Sequence, residues 1–178
     1  MTFLAAMLLA MVPQQGLSQD EIPQPTFPLP PNPCDEAPFR QFDFWVGQWD
    51  VYLTGTDTQV ATSLVERVSN GCAVRETWMP LRGAPGTSLS TFEPVDGLWH
   101  QLWVGPQPGQ VFFSGGMSGT EMVITGYWGV NAEGQPNLVR MTYTPNADGS
   151  VRQHGDASGD HGVTWEPNFD LTYRPHGG

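Results

Sequence analysis

Four polar side chains sit between apolar neighbours at a spacing that can bring them together. Glu76 lies between Val74 and Trp78, Gln101 between Trp99 and Trp103, Arg140 between Leu138 and Thr142, and Gln153 between Val151 and Gly155. Each polar residue is two positions from its flanking partners, so each trio shares one face of an extended strand. If those faces point inward, a carboxylate, two carboxamides and a guanidinium meet among indole rings. Buried charge must be paired, and Arg140 with Glu76 is the natural couple. Such a group can fix the polar end of a small apolar or amphipathic molecule, with Trp49, Trp78, Trp99 and Trp103 as walls. The same residues allow acid–base chemistry. Burial among tryptophans would raise the pKa of Glu76 and suit it to act on a lipid-like or sugar-like substrate. A structural reading stands beside both: the four residues lock a core filled by its own side chains.

Other chemistries find no footing. The histidines, His100, His154, His161 and His176, form no His-x-His or His-Glu-x-x-His pattern, so no metal site is expected. Gly116-Met117-Ser118-Gly119-Thr120 fails the nucleophile-elbow pattern at its last position and reads as a flexible loop. Ser158 to Trp165 matches the Asp-box pattern Ser-x-Asp-x-Gly-x-Thr-Trp, a hairpin staple in which side chains bond the turn backbone. All seven basic residues are arginine and the net charge is −11. An acidic chain without lysine repels nucleic acid and anionic lipid, and has no Schiff-base or phosphate-loop lysine.

The elements that must position these residues are strands. From Gly47 onward, Gly47, Trp49, Val51 and Leu53 share one face, and Gln48, Asp50 and Tyr52 the other. Phe44, Trp45 and Val46 are apolar on both faces, which a turn or helical corner entering the strand explains. Further runs follow at Thr58–Val68, Cys72–Met79, Thr87–Phe92, Leu98–Val104, Val111–Ser114, Met122–Val130, Leu138–Thr144, Val151–Ala157 and Val163–Arg174, the last broken at Pro167. Asp96-Gly97 and Asp148-Gly149 are hairpin signals. About ten short strands joined by local turns predict an all-β domain, a single up-and-down antiparallel barrel of about 8–10 strands. A barrel of that size holds one small ligand.

Gly47-x-Trp49 on the first strand resembles the opening signature of the calycin group, which includes lipocalins, fatty-acid-binding proteins and nitrobindin-like barrels. More broadly, FDFWVGQWDV, GCAVRETW, LWHQLWV, DGSVRQ, GVTW and FDLTYR are similar to a family of uncharacterised exported bacterial proteins with a calycin-like barrel. The resemblance spans Cys34 to Arg174 and implies a fold without an activity. It implies that Trp49 plugs one barrel end, that Gly47 gives it room, and that Arg174 packs on the indole. Nitrobindin-like barrels bind haem through a histidine on a late strand. That makes His154 the haem-ligand alternative and His100 a weaker one; otherwise no cofactor is expected.

Residues 1–18 read as a secretory signal peptide, with an apolar core from Phe3 to Val12 and small residues Gly16 and Ser18 before the cut. No basic residue precedes the core. Residues 19–38 are a proline-rich arm that cannot join a sheet interior. Residues 39–176 form the barrel domain, long enough to bury a core. An exported protein, periplasmic or secreted, without stable membrane insertion after leader removal is expected. In such a compartment Cys34 and Cys72 read as a disulfide, with free thiols or a metal pair as the alternatives. Nothing in the sequence reports an oligomeric state.

Overall fold

Alternation along the chain produces ten strands: β1 (Gly47–Leu53), β2 (Gln59–Val68), β3 (Ala73–Pro80), β4 (Gly86–Glu93), β5 (Leu98–Val104), β6 (Val111–Ser118), β7 (Glu121–Val130), β8 (Pro136–Pro145), β9 (Val151–Ser158) and β10 (Glu166–Pro175). The structure is a computed structural model and describes residues 31–177. The expected leader (1–18) and the first part of the proline arm (19–30) lie outside the described residues. Each strand runs antiparallel to its sequence neighbours, and β1 closes on β10, with Trp49 opposite Pro175 and Leu53 opposite Leu171. The fold is therefore an all-β, calycin-like, up-and-down closed barrel.

Local chemistry accounts for the corners. In the β4–β5 hairpin the Asp96 carboxylate accepts the Leu98 N–H at 2.9 Å, and Gly97 takes a φ of +73°. In the β8–β9 hairpin Asp148 accepts the Ser150 N–H at 3.0 Å. The β9–β10 turn is the Asp-box staple: Ser158 Oγ accepts the Gly162 N–H at 2.7 Å, Asp160 accepts the Thr164 N–H at 2.8 Å, and Trp165 Nε1 donates to the Gly162 carbonyl at 3.1 Å. β10 bulges between Pro167 and Phe169, where proline removes a ladder donor. The Gly116–Thr120 segment is corrected: Gly116, Met117 and Ser118 pair with β7 as the end of β6. Only Gly119 and Thr120 make the turn.

One barrel end is filled by the chain entering it. Asp43–Trp45 forms a 3-10 turn that drives Phe42 and Trp45 into the interior, where both are buried. The two rings stack at 5.0 Å between centroids, and Phe42 meets Trp99 at 5.7 Å and Tyr143 at 5.0 Å. Trp49 Nε1 donates to the Trp45 carbonyl at 2.9 Å, and a Cβ on Gly47 would stand 3.1 Å from the Trp49 ring. The plug is tied down twice. Cys34 and Cys72 form a disulfide with Cα atoms 4.9 Å apart. The Arg67 guanidinium on β2 donates to the Phe39 carbonyl at 3.2 Å and also to the Asp43 carboxylate and the Gly71 carbonyl. The described end of the proline arm is thus seated, with helical turns at Pro33–Asp35 and Ala37–Arg40.

Arg174 does not close the barrel over Trp49. It lies on the outer wall with its guanidinium 4.2 Å above the Tyr52 ring, donating to Asp57 and to the Thr56 carbonyl. Its neighbour Tyr173 takes the inward position and meets the Trp49 ring at 6.3 Å. Strand alternation decides this: one residue of the pair must face water, and the guanidinium is the costlier to bury.

Candidate functional site

Above the plug, the inward residues of β3, β5, β6, β8, β9 and β10 surround a cavity of about 240 Å³. Its walls are apolar and mostly aromatic: Trp78, Trp103, Phe113, Trp128 and Phe169, with Leu171 and Met141. Trp128, at the end of β7, is 37% exposed and packs against Trp103, Phe113 and Phe169 at 6.1–6.3 Å between centroids. It stands where the interior meets solvent.

Glycines make room for these rings. An added Cβ at Gly86 would lie 2.4 Å from the Trp103 ring, and one at Gly155 would lie 2.4 Å from the Phe169 ring. Gly86→Ala is expected to push Trp103 into the cavity and to cost about 1–3 kcal/mol, as overpacking does. Urea denaturation gives the cost. An unchanged midpoint with unchanged tryptophan emission would show that Trp103 has no fixed seat.

At the base of the cavity the polar groups join into one chain. Glu76 is 5% exposed. Its Oε1 accepts from Ser63 Oγ at 2.9 Å and lies 3.1 Å from the Tyr173 hydroxyl, while Oε2 accepts from Ser88 Oγ at 3.4 Å. The Tyr173 hydroxyl is also 2.7 Å from Gln153 Oε1, and Gln153 Nε2 donates to the Tyr143 hydroxyl at 2.9 Å. Gln101 Nε2 donates to Ser90 Oγ at 3.0 Å. The phenol of Tyr173 has a single proton and cannot serve both Glu76 and Gln153. Gln153 is the nearer of its two acceptors and Glu76 the farther. Burial pushes Glu76 up to about 7 against the lowering pull of the Ser63, Tyr173 and Ser88 hydroxyls. Burial, with the Glu76 charge nearby, also holds the Tyr143 and Tyr173 phenols above their ordinary range.

Of the eight residues proposed from sequence to hold a ligand, Glu76, Trp78, Gln101, Trp103 and Gln153 line the cavity. Trp49 and Trp99 point inward but belong to the plug, where Trp99 Nε1 donates to Gln41 Oε1 at 3.0 Å. Arg140 is a correction. It faces outward, donates to Asp156 Oδ2 at 2.8 Å and lies 4.3 Å over the Trp165 ring, so it does not pair with Glu76. The other face of β8 carries Val139, Met141 and Tyr143, all buried. Turning that face inward buries more apolar surface and leaves the guanidinium in water.

His154 is likewise on the outer wall, 3.1 Å from Asp156 Oδ1, and His100 bonds Asp96 and Ser114 on the outside. No histidine lines the cavity, and the described residues hold no group of three or more metal-ligating side chains. Sequence reasoning missed Tyr143 and Tyr173, which complete the polar chain, and Trp128 and Phe169, which frame the opening. Their signal was the period of two itself: Tyr143 is in step with Val139 and Met141, and Tyr173 with Phe169 and Leu171. No protein-family model matches the chain, and no curated protein matches it.

Proposed function

We propose that the protein is an exported carrier or receptor that binds a small apolar or amphipathic molecule inside its barrel. The observation that carries this reading is the aromatic cavity of about 240 Å³ with a single polar chain at its base. Apolar walls with a few convergent polar groups are the ordinary composition of a small-molecule site. The volume lies at the small end for a ligand pocket, which suits a compact ring-bearing molecule better than a long acyl chain. Export is supported by the Cys34–Cys72 disulfide, since such bonds persist in oxidising compartments. Among the described residues no helix is long and apolar enough to cross a membrane.

Native mass spectrometry of the protein, produced in a periplasm and purified gently, tests the reading. The expected result is a reproducible extra mass lost on denaturation. Leu171→Trp, which fills the cavity, is expected to abolish it while the circular dichroism spectrum stays unchanged. A bare mass in the wild type, with no gain in thermal stability from any small-molecule extract, would overturn it.

Acid–base catalysis in the same cavity is a second reading, supported by a carboxyl held near neutrality beside an apolar pocket. It predicts turnover that disappears in Glu76→Gln while folding is retained.

A further inference from the structure

Glu76 is a buried acid with no counter-ion among the described residues. Its hydrogen-bond partners are neutral: Ser63 on β2, Ser88 on β4 and Tyr173 on β10. The titratable groups facing it are Tyr143 and Tyr173, both kept as neutral phenols by burial. No arginine or histidine lines the cavity, and none of the salt bridges among the described residues includes Glu76. Buried carboxylates are normally paired, and this one has no cation among the described residues to pair with. A glutamine would occupy the same space and satisfy the same hydroxyls at lower cost, so it is the charge of Glu76 that needs a reason.

The rest of the cavity suggests one. Trp78, Trp103 and Trp128 line the space, and indole rings attract organic cations through their quadrupoles. The net charge of −11 raises the local concentration of cations further. The Oε2 atom of Glu76, held only by Ser88 at 3.4 Å, retains acceptor capacity.

We infer that the ligand is an organic ammonium, its charged nitrogen paired with the Glu76 carboxylate and its apolar body lying against Trp78, Trp103 and Trp128. This rests on the cavity being a binding site and names the class of molecule it takes. Ligand and proton then compete for one place: binding the ammonium expels the proton from Glu76, and the Tyr173 hydroxyl turns from Gln153 to the carboxylate. A carboxylate ligand meets an acid with no cation to receive it. A neutral alcohol gains nothing from the charge.

Three probes of similar size separate these cases: 2-phenylethylamine, 2-phenylethanol and phenylacetate. Each is titrated into the disulfide-bonded protein and into Glu76→Gln, at pH 6 and pH 8, by calorimetry and tryptophan fluorescence. The amine stays protonated throughout this range. Its affinity is expected to rise about tenfold from pH 6 to pH 8 as Glu76 ionises. Glu76→Gln is expected to lose about thirtyfold or more at pH 8, the ordinary cost of removing one partner of a buried charge pair. Equal or tighter binding of the alcohol or phenylacetate, or amine binding that survives in Glu76→Gln, would overturn the inference and leave the barrel a binder of another class. Binding of none of the three would overturn the inference and count against the binding site itself.

Discussion

Replacing Glu76 with glutamine is expected to stabilise the empty barrel by about 3 kcal/mol at pH 8 and by under about 1 kcal/mol at pH 5. The sign follows from where the proton sits. Burial raises Glu76 from 4.5 to about 7 in the folded protein, while the unfolded chain keeps the ordinary value. Between those values the folded state holds a proton that the unfolded state has released. Stability from this group is therefore fully present below about pH 4.5 and is lost as pH rises through 7. Glutamine is neutral at every pH and removes the loss. Partly buried aspartates such as Asp156 and Asp170, whose arginine partners hold them below the usual carboxylate range, titrate at lower pH. They cancel when wild type and variant are compared at one pH. Urea denaturation of both proteins at pH 5, 6, 7 and 8 is the measurement. A difference that stays flat across that range sinks the idea that Glu76 is the buried titrating group.

Removing the disulfide, by Cys34→Ser with Cys72→Ser, is expected to cost about 4 kcal/mol, a large share of the roughly 5–15 kcal/mol that holds a domain folded. The bridge closes a loop of 38 residues and restricts the unfolded chain accordingly. It also acts locally, holding the segment before β1 against the β2–β3 corner while Arg67 grips Asp43 and Phe39. Without it, backbone amides of Phe42 to Val46 are expected to exchange with solvent faster than those of β8, because the plug can leave before the barrel opens. Denaturation with and without reductant, followed by hydrogen exchange, checks both statements. Equal midpoints would show that the barrel ladder alone carries the stability. Uniform exchange would show that plug and barrel unfold as one unit.

Strand positions were legible because the turns announce themselves. Asp96-Gly97 and Asp148-Gly149 punctuate the chain, and the runs between them alternate cleanly. The doubly apolar Phe44-Trp45-Val46 was legible as a covered corner, since no half-exposed strand tolerates it. Orientation was harder where both faces of a strand carry apolar residues. On β8 the sequence Leu138 to Tyr143 offers two inward sets, and alternation alone allows the set of Leu138, Arg140 and Thr142 to face inward, with Arg140 then paired to Glu76. The desolvation cost of a guanidinium, weighed against the uncharged Val139, Met141 and Tyr143, decides the other way. Tyr173 escaped notice beside Arg174, which the calycin resemblance made the residue of interest. The bonds linking Glu76, Tyr173, Gln153 and Tyr143 join positions as far apart as 97 residues, and no local pattern encodes them.

The pairing of β1 with β10 also governs how the chain can associate. A sheet that closes on itself leaves no row of unsatisfied N–H and C=O groups along an outer strand, so it offers no template for strand addition by a second chain. The seam is sealed from Trp49–Pro175 to Leu53–Leu171, joining the two strands farthest apart in sequence. It is also the contact with the highest loop-closure cost and so the last to gain from local folding. Until that seam forms, β1 and β10 are open edges, and intermolecular β-pairing belongs to this interval of folding rather than to the finished protein.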